Sequence, residues 1–204
     1  MNESLPTKAN LMRSRSRLDF SVKGFELLDK KRNVLIREMM GLADRAQTLG
    51  EEVDKHFRAV NEALIKANIT LGSNTVEEMA MSIPRDEDFR ILTRSVMGVE
   101  LPFVDYQKKA LEVSYGFFRT NSALDTVVVL MHELKPLLYE LAEVENAVFR
   151  LAMEVKKTQK RANALDKIQI PKYREITKHI EEALEEKERE DFYRLKKVKQ
   201  AKKK

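Results

Sequence analysis

Counting in sevens from Leu11 passes through Leu18, Phe25, Arg32, Met39, Ala46, Val53, Val60 and Ala67, while a second row holds Leu28, Leu35, Leu42, Leu49, His56 and Ala63. Rows offset alternately by three and four residues line one edge of a helix and make that edge a seam for another helix. Arg32 and His56 interrupt the seam. Gly24, Gly41 and Gly50 each cost about 1 kcal/mol relative to Ala inside a helix, so this element depends on packing rather than on propensity. A second seam is cleaner: Val127, Leu130, Leu134, Leu137, Leu141, Val144, Val148, Leu151, Val155, Thr158, Ala162 and Leu165 alternate at three and four. Strict repetition of this kind winds two helices left-handedly about each other. Asn121 or Ser122, the serine with Asp125 three residues on, supplies its N-cap. At 1.5 Å per residue the two helices run about 90 and about 115 Å.

Residues 72 to 120 break the helical period. Pro84, Pro102, Gly72, Gly98 and Gly116 fall here, and short runs such as DFRILTRS and VSYGFFR take its place. Thr75 with Glu78 reads as a capping box opening a short helix, followed by a β-hairpin or small sheet. Phe89, Ile91, Leu101, Phe103, Tyr115 and Phe117 are the expected apolar face of that sheet. So many aromatics argue against a disordered insertion. The predicted fold is mainly α: a long antiparallel two-helix coiled coil of residues 1–71 and 121–204, with the insert 72–120 between its arms.

Composition agrees with long helices that keep one face wet. Of 204 residues 35% are charged, with only 6 Gly and 5 Pro and no Trp. No run approaches the roughly 18 apolar residues of a membrane span, and the N-terminus lacks a basic-then-apolar leader pattern. These features predict a soluble, intracellular chain. The absence of Cys excludes disulfides and thiol chemistry.

Charge is uneven. Residues 8 to 32 hold eight Lys and Arg against three acids, and residues 192 to 204 hold seven against none. An antiparallel hairpin would bring these two stretches to the same end, with the acidic run EEALEEKERED, 181 to 191, just inside it. Pattern alone leaves three readings of a basic end. It is a solvated helix face with a frayed tail, or a phosphate-binding arm for nucleic acid or anionic membrane, or a tip held in an acidic protein sleeve. Only Phe192 and Tyr193 flank the tail, so base stacking has little support.

Catalytic patterns are missing. There is no G-x-x-x-x-G-K-[ST] or G-x-G-x-x-G, and His56, His132 and His179 are too far apart for a local metal site. Acid pairs such as Glu51 with Glu52 and Glu77 with Glu78 read as solvated or capping residues. The expectation is a non-enzymatic chain without cofactor or metal.

KKTQKRANALDKIQIPKYREITKHIEEALEEKEREDFYRLKKVK, residues 156 to 199, resembles the C-terminal signature of the D subunits of V-type and A-type rotary ATPases. Arg161, Asn163, Ala164, Leu165, Ile170, Pro171, Glu188, Arg189, Glu190, Phe192, Arg194, Leu195, Lys196 and Lys197 fall on matching positions. PTKANLMRSRSRL, GFELLDKKRNVLIREM and RSVMGVELP are similar to the same family, so the resemblance spans essentially the whole chain. It departs at SRSR, residues 14 to 17, where the family pattern is more apolar, and looser packing is expected there.

The resemblance implies a central rotor shaft whose termini enter a ring of nucleotide-binding A and B subunits, catalytic and regulatory. It implies a small stalk partner, the F subunit, an adaptor to the membrane rotor, and a place on the cytoplasmic side of a membrane as a peripheral part of a complex, without nucleic acid and without membrane insertion. On this reading Lys160, Arg161, Arg189, Arg194, Lys196 and Lys197 meet the ring. Leu28, Leu35, Leu42, Leu49, Leu134, Leu141, Val148 and Val155 form the seam. Phe89, Ile91, Leu101 and Phe103 meet the stalk partner, and Pro171 bends the shaft off axis. Pro136 either bends the same helix or marks a late helix start. The main alternative is a basic coiled-coil adaptor that binds nucleic acid or anionic membrane. The γ subunit of F-type enzymes, also a two-helix shaft, carries a larger domain between its helices than residues 72 to 120 can supply.

Overall fold

The computed structural model describes residues 5–83, 89–107, 110–111, 115–116, 118 and 120–202. Phe117 of the expected apolar face and the tail residues Lys203 and Lys204 lie outside them. The elements in chain order are α1 (Lys8–Leu71), α2 (Ser73–Ser82), β1 (Phe89–Val96), β2 (Val99–Tyr106), α3 (Ser122–Ala164), a π-helical turn (Leu165–Gln169) and α4 (Ile170–Ala201). Two long helical arms thus enclose a small insert with a short helix and a two-stranded antiparallel sheet. The chain divides into two compact units, Met1–Val34 with Val155–Lys204, and Leu35–Glu154.

In the Leu35–Glu154 unit, α1 and α3 run antiparallel. Arg45 pairs with Glu140. Farther along α1, Val53 and Val60 pack with Leu134 under Leu130, Leu137 and Leu141. Nearest its end, Ala63 and Ala67 pack with Val127, and Val76 of α2 closes this cluster. Large residues fill the first layer and small ones the second, which leaves room for α2.

The helix termini follow local chemistry. Of the two candidate caps for α3, Asn121 is the one used: its Oδ1 accepts from the Leu124 N–H at 3.2 Å, and its Nδ2 donates to Thr70 Oγ1 at 2.7 Å. Asp125 instead accepts from the Tyr115 hydroxyl at 2.6 Å. The expected capping box at Thr75 is not used. α2 begins at Ser73 with Gly72 at its N-cap, and Gly72, at φ 86, takes a left-handed conformation that lets α2 follow α1 directly. Pro136 lies inside α3 and does not mark a helix start.

The hairpin turns through Met97 (φ 52) and Gly98 (φ 78), the two left-handed residues of a tight two-residue connection. That turn sets Val96 opposite Val99 and pairs odd positions of β1 with even positions of β2, from Ser95 with Glu100 to Phe89 with Tyr106. The single apolar face expected from the sequence therefore does not form. Phe89 and Ile91 share one face with Val104 and Tyr106, whereas Leu101 and Phe103 share the other with Arg94 and Leu92. Tyr115 lies outside the sheet, buried against Asp125.

In the unit of Met1–Val34 with Val155–Lys204, α1 again runs antiparallel to the C-terminal arm. Lys8 reaches Glu188 at 3.4 Å and Arg15 reaches Glu181 at 2.8 Å. Arg17 lies over the Tyr173 ring at 5.9 Å. The seam here is built of small residues: Ser14, Ser21, Thr158, Ala162 and Thr177 are buried along with Ile170 and Ile180. Of the two serines in SRSR, Ser14 is buried and Ser16 is exposed, and farther along Ser21 Oγ donates to the Arg17 carbonyl at 2.8 Å. Small side chains let helix backbones approach closely, so an apolar stretch is not required for contact.

Candidate interaction surfaces

The π turn explains how the C-terminal arm passes Pro171. Proline offers no N–H and its ring crowds the carbonyl four residues back. Here the Ile170 N–H reaches the Leu165 carbonyl, five residues back, so the turn immediately before the proline is widened. The widening also inserts one residue into the seam. The fully buried positions run 151, 158, 162 and then 170, 177 and 180, with Gln169 and Ile176 only half-buried beside the last three, so Ala162 to Ile170 is an eight-residue step in a seven-residue repeat. A Cβ on Gly24 would lie 3.5 Å from Leu165 Cδ1, ordinary van der Waals contact, which puts α1 directly against the widened turn.

The seam residues Leu35, Leu49 and Leu134 are buried, and Leu28, Leu42, Leu141, Val148 and Val155 are half-buried. Arg32 occupies a seam position and is held by Asp29 at 2.6 Å. Three residues back on a helix is a neighbouring position, so the charge is answered from its own strand of the seam.

The six cations expected to meet a partner ring are all exposed on the C-terminal arm, but they are not equivalent. Arg189 pairs with Glu185 at 3.7 Å and Glu186 at 4.0 Å. Arg194 pairs with Glu190 at 3.4 Å and Asp191 at 3.9 Å. Both are already answered within α4 by the acidic run. Lys197 lies over the Tyr193 ring at 5.6 Å. Lys160, Arg161 and Lys196 have no ion pair among the described residues. Phe192, Tyr193, Leu195 and Val198 are 55 to 70% exposed on the stretch of α4 that follows Glu188, the partner of the first residue of α1.

The hairpin lies along α3 by the edge of β2. Tyr139 packs against Phe89 and Tyr106, with ring centroids 5.5 and 5.0 Å apart. Glu143 accepts the Val104 N–H at 3.1 Å, and Arg150 donates to the Glu100 carbonyl at 2.8 Å. Pro102, between them, has no N–H to satisfy. Leu101 is buried, while Ile91, Leu92 and Phe103 are 44 to 67% exposed. The four residues expected to meet a stalk partner thus lie on two faces, and of the four only Leu101 is buried.

Sequence reasoning missed Lys8, Arg15, Glu181 and Glu188, which link the arms, and Glu143 and Arg150, which close the edge of β2. Each acts across elements, and composition carries no record of which charge faces which until the register of the arms is known. The described residues contain no group of three or more His, Asp or Glu placed to hold a metal ion, and no helix long and apolar enough to cross a membrane.

Residues 10–200 match the family model of the ATP synthase D subunit. The chain is 40% identical over 195 residues to the V-type ATP synthase D subunit of Thermotoga neapolitana, covering 96% of each chain. It is 36% identical over 197 residues to the A-type ATP synthase D subunit of Pyrococcus abyssi, covering 95% of this chain and 92% of that one. A similar match, 36% over 196 residues, joins it to the A-type ATP synthase D subunit of Methanobrevibacter smithii, over 95% of this chain and 85% of the other.

Proposed function

The chain belongs to the ATP synthase D-subunit family, and from that premise we propose that it is the non-catalytic central rotor shaft of a V/A-type ATPase. It carries torque between a ring of nucleotide-binding A and B subunits and an ion-translocating membrane rotor, driving ions when ATP is hydrolysed or making ATP when ions flow. The observation that carries the reading is the match of residues 10–200, which takes in both helical arms and the insert together.

The physical design suits the role. Two helices packed along a seam resist bending and twisting better than one. A shaft that turns inside a sleeve needs an outer face that is charged, because a broad apolar contact would hold it at one angle. Lys160, Arg161 and Lys196, exposed and without an ion pair among the described residues, are the cations best placed to exchange partners with acidic loops of the ring. Each such contact is worth about 0 to 1 kcal/mol, small enough to break at every step. Arg189 and Arg194 would first have to leave their own glutamates. In this reading the F subunit and an adaptor to the membrane rotor complete the stalk, and the chain sits on the cytoplasmic side as a peripheral component.

The test is to tag the chain in its own cells, solubilise membranes gently and weigh what co-purifies. One copy with three copies each of two nucleotide-ring subunits, a small stalk partner and ATPase activity is the expected result. Recovery alone, or with nucleic acid that is lost steeply as salt rises, would replace the shaft with a basic binding arm.

A further inference from the structure

The two edges of the hairpin are treated differently. Because the Val104 N–H and the Glu100 carbonyl point out of the sheet toward Glu143 and Arg150, the pairs Ile91 with Val104, Thr93 with Pro102 and Ser95 with Glu100 turn their backbone groups outward on both strands. On β2 the Val104 N–H and the Glu100 C=O are answered by α3, and Pro102 has no N–H to answer. On β1 the outward N–H and C=O groups of Ile91, Thr93 and Ser95 meet nothing among the described residues. An edge of this kind is a template for another strand.

Charge indicates what kind. Arg90, Leu92 and Arg94 lie on one face of β1, and Leu92 is 48% exposed opposite Phe103, itself 44% exposed. Arg90 faces Asp105 across the hairpin, but Arg94 faces Leu101, and neither arginine has an ion pair among the described residues. A second copy of this chain offers no carboxylate to either arginine: self-pairing centred on Leu92 would set Arg90 of each copy against Arg94 of the other, like charges directly opposed, and self-pairing centred on Thr93 would set Arg94 against Leu92 and Arg90 against Val96. We infer that the outer edge of β1 receives an extended strand from a partner protein, with carboxylates opposite Arg90 and Arg94 and an apolar residue opposite Leu92. The inference rests on the reading of the chain as part of a stalk, and it assigns that stalk contact to backbone pairing at β1 rather than to one apolar face of the hairpin.

Amide hydrogen exchange, read residue by residue in the tagged assembly and in the isolated full chain, tests it. The outward amides of Ile91, Thr93 and Ser95 should exchange at least tenfold more slowly in the assembly. The inward amides of Leu92 and Arg94 should be slow in both, reporting an intact hairpin. Thr93→Pro removes one outward N–H and no bond to β2, and Arg90→Glu with Arg94→Glu reverses the charge; each should abolish the added protection at Ile91 and Ser95 while leaving Leu92 slow. An assembly that contains the nucleotide ring but leaves the outward amides as fast as in the free chain overturns the inference and spares the shaft reading. Protection that survives Thr93→Pro and the double charge reversal also overturns it, because burial alone would then account for the slowing. A chain recovered without partners removes both.

Discussion

At the scale of single residues, the fold depends on side chains that hydropathy ranks low. Tyr115 is buried, and burial, reinforced by its hydrogen bond to Asp125 and the charge of that carboxylate, pushes its phenol from 10.0 up to about 12. The folded state therefore holds the phenolic proton more tightly than the unfolded chain does. This contribution is complete below about pH 10 and is lost as pH rises toward 12. Wild-type stability in urea should fall across that window, and Tyr115→Phe should flatten the fall while costing about 1 kcal/mol at neutral pH. Ser21 and Gly24 make a contrasting pair on α1. Ser21→Leu adds volume to a closely spaced seam and should destabilise by about 1 to 3 kcal/mol although it makes the seam more apolar. Gly24→Ala meets Leu165 only at van der Waals distance and should stabilise by up to about 1 kcal/mol, the helical gain over glycine. Thermal melts of the three variants beside wild type measure all of this.

At the scale of elements, two causes coincide in the π turn and can be separated. One is Pro171, which cannot sit in an ordinary α-helix without strain. The other is the eight-residue step in the seam, which holds Ile170, Thr177 and Ile180 inward only if one residue is absorbed before them. Returning the turn to α geometry would rotate everything downstream by about 100° and expose those residues. Pro171→Ala alone should therefore keep the π turn. Deleting the exposed Lys167 keeps the seam in phase but forces the proline into a plain helix, at a cost of roughly 3 kcal/mol. The deletion combined with Pro171→Ala should recover wild-type stability to within about 1 kcal/mol. Exchange rates of the amides from 165 to 175, with denaturant midpoints, distinguish these outcomes. The same turn marks the limit of what the sequence could tell. Heptad counting can follow a seam from Leu11 to Leu165 as far as one period holds, and Pro171 marks where a plain helix meets strain. It did not reveal that the break is one added residue, since the count ends where the period fails. The hairpin was legible from its alternation and Gly98, but its faces were not: parity is set by the length of the turn, and a one-residue difference exchanges every partner.

For the whole molecule, the question is how a chain with a net charge of +5 could turn against a protein sleeve without sticking to it. The excess lies toward the end of the C-terminal arm, where Arg189 and Arg194 are already paired with α4's own acids at 3.4 to 4.0 Å. Those pairs are exposed, so each is worth at most about 1 kcal/mol and opens readily. In the proposed shaft they would act as internal competitors for whatever acids a sleeve presents and would keep any one contact shallow. Lys160, Arg161 and Lys196 face no such competition among the described residues and should carry most of the angle-dependent attraction. Reversing Lys160, Arg161 and Lys196 together should then lower coupled ATPase turnover in the assembled complex severalfold. Reversing Arg189 and Arg194 should change it less, since those two arginines are shared with their own glutamates and Asp191 and offer the sleeve less to lose. The isolated variants should keep the wild-type circular dichroism spectrum and melting profile, because none of these side chains is buried. Raising salt should weaken the wild-type attraction and narrow the gap between wild type and the triple reversal, as exposed ion pairs are screened over about 8 to 10 Å near physiological ionic strength. Equal turnover of wild type and triple reversal at low salt would mean that the ring grips the shaft through other contacts, with the exposed Phe192, Tyr193, Leu195 and Val198 next in line for substitution.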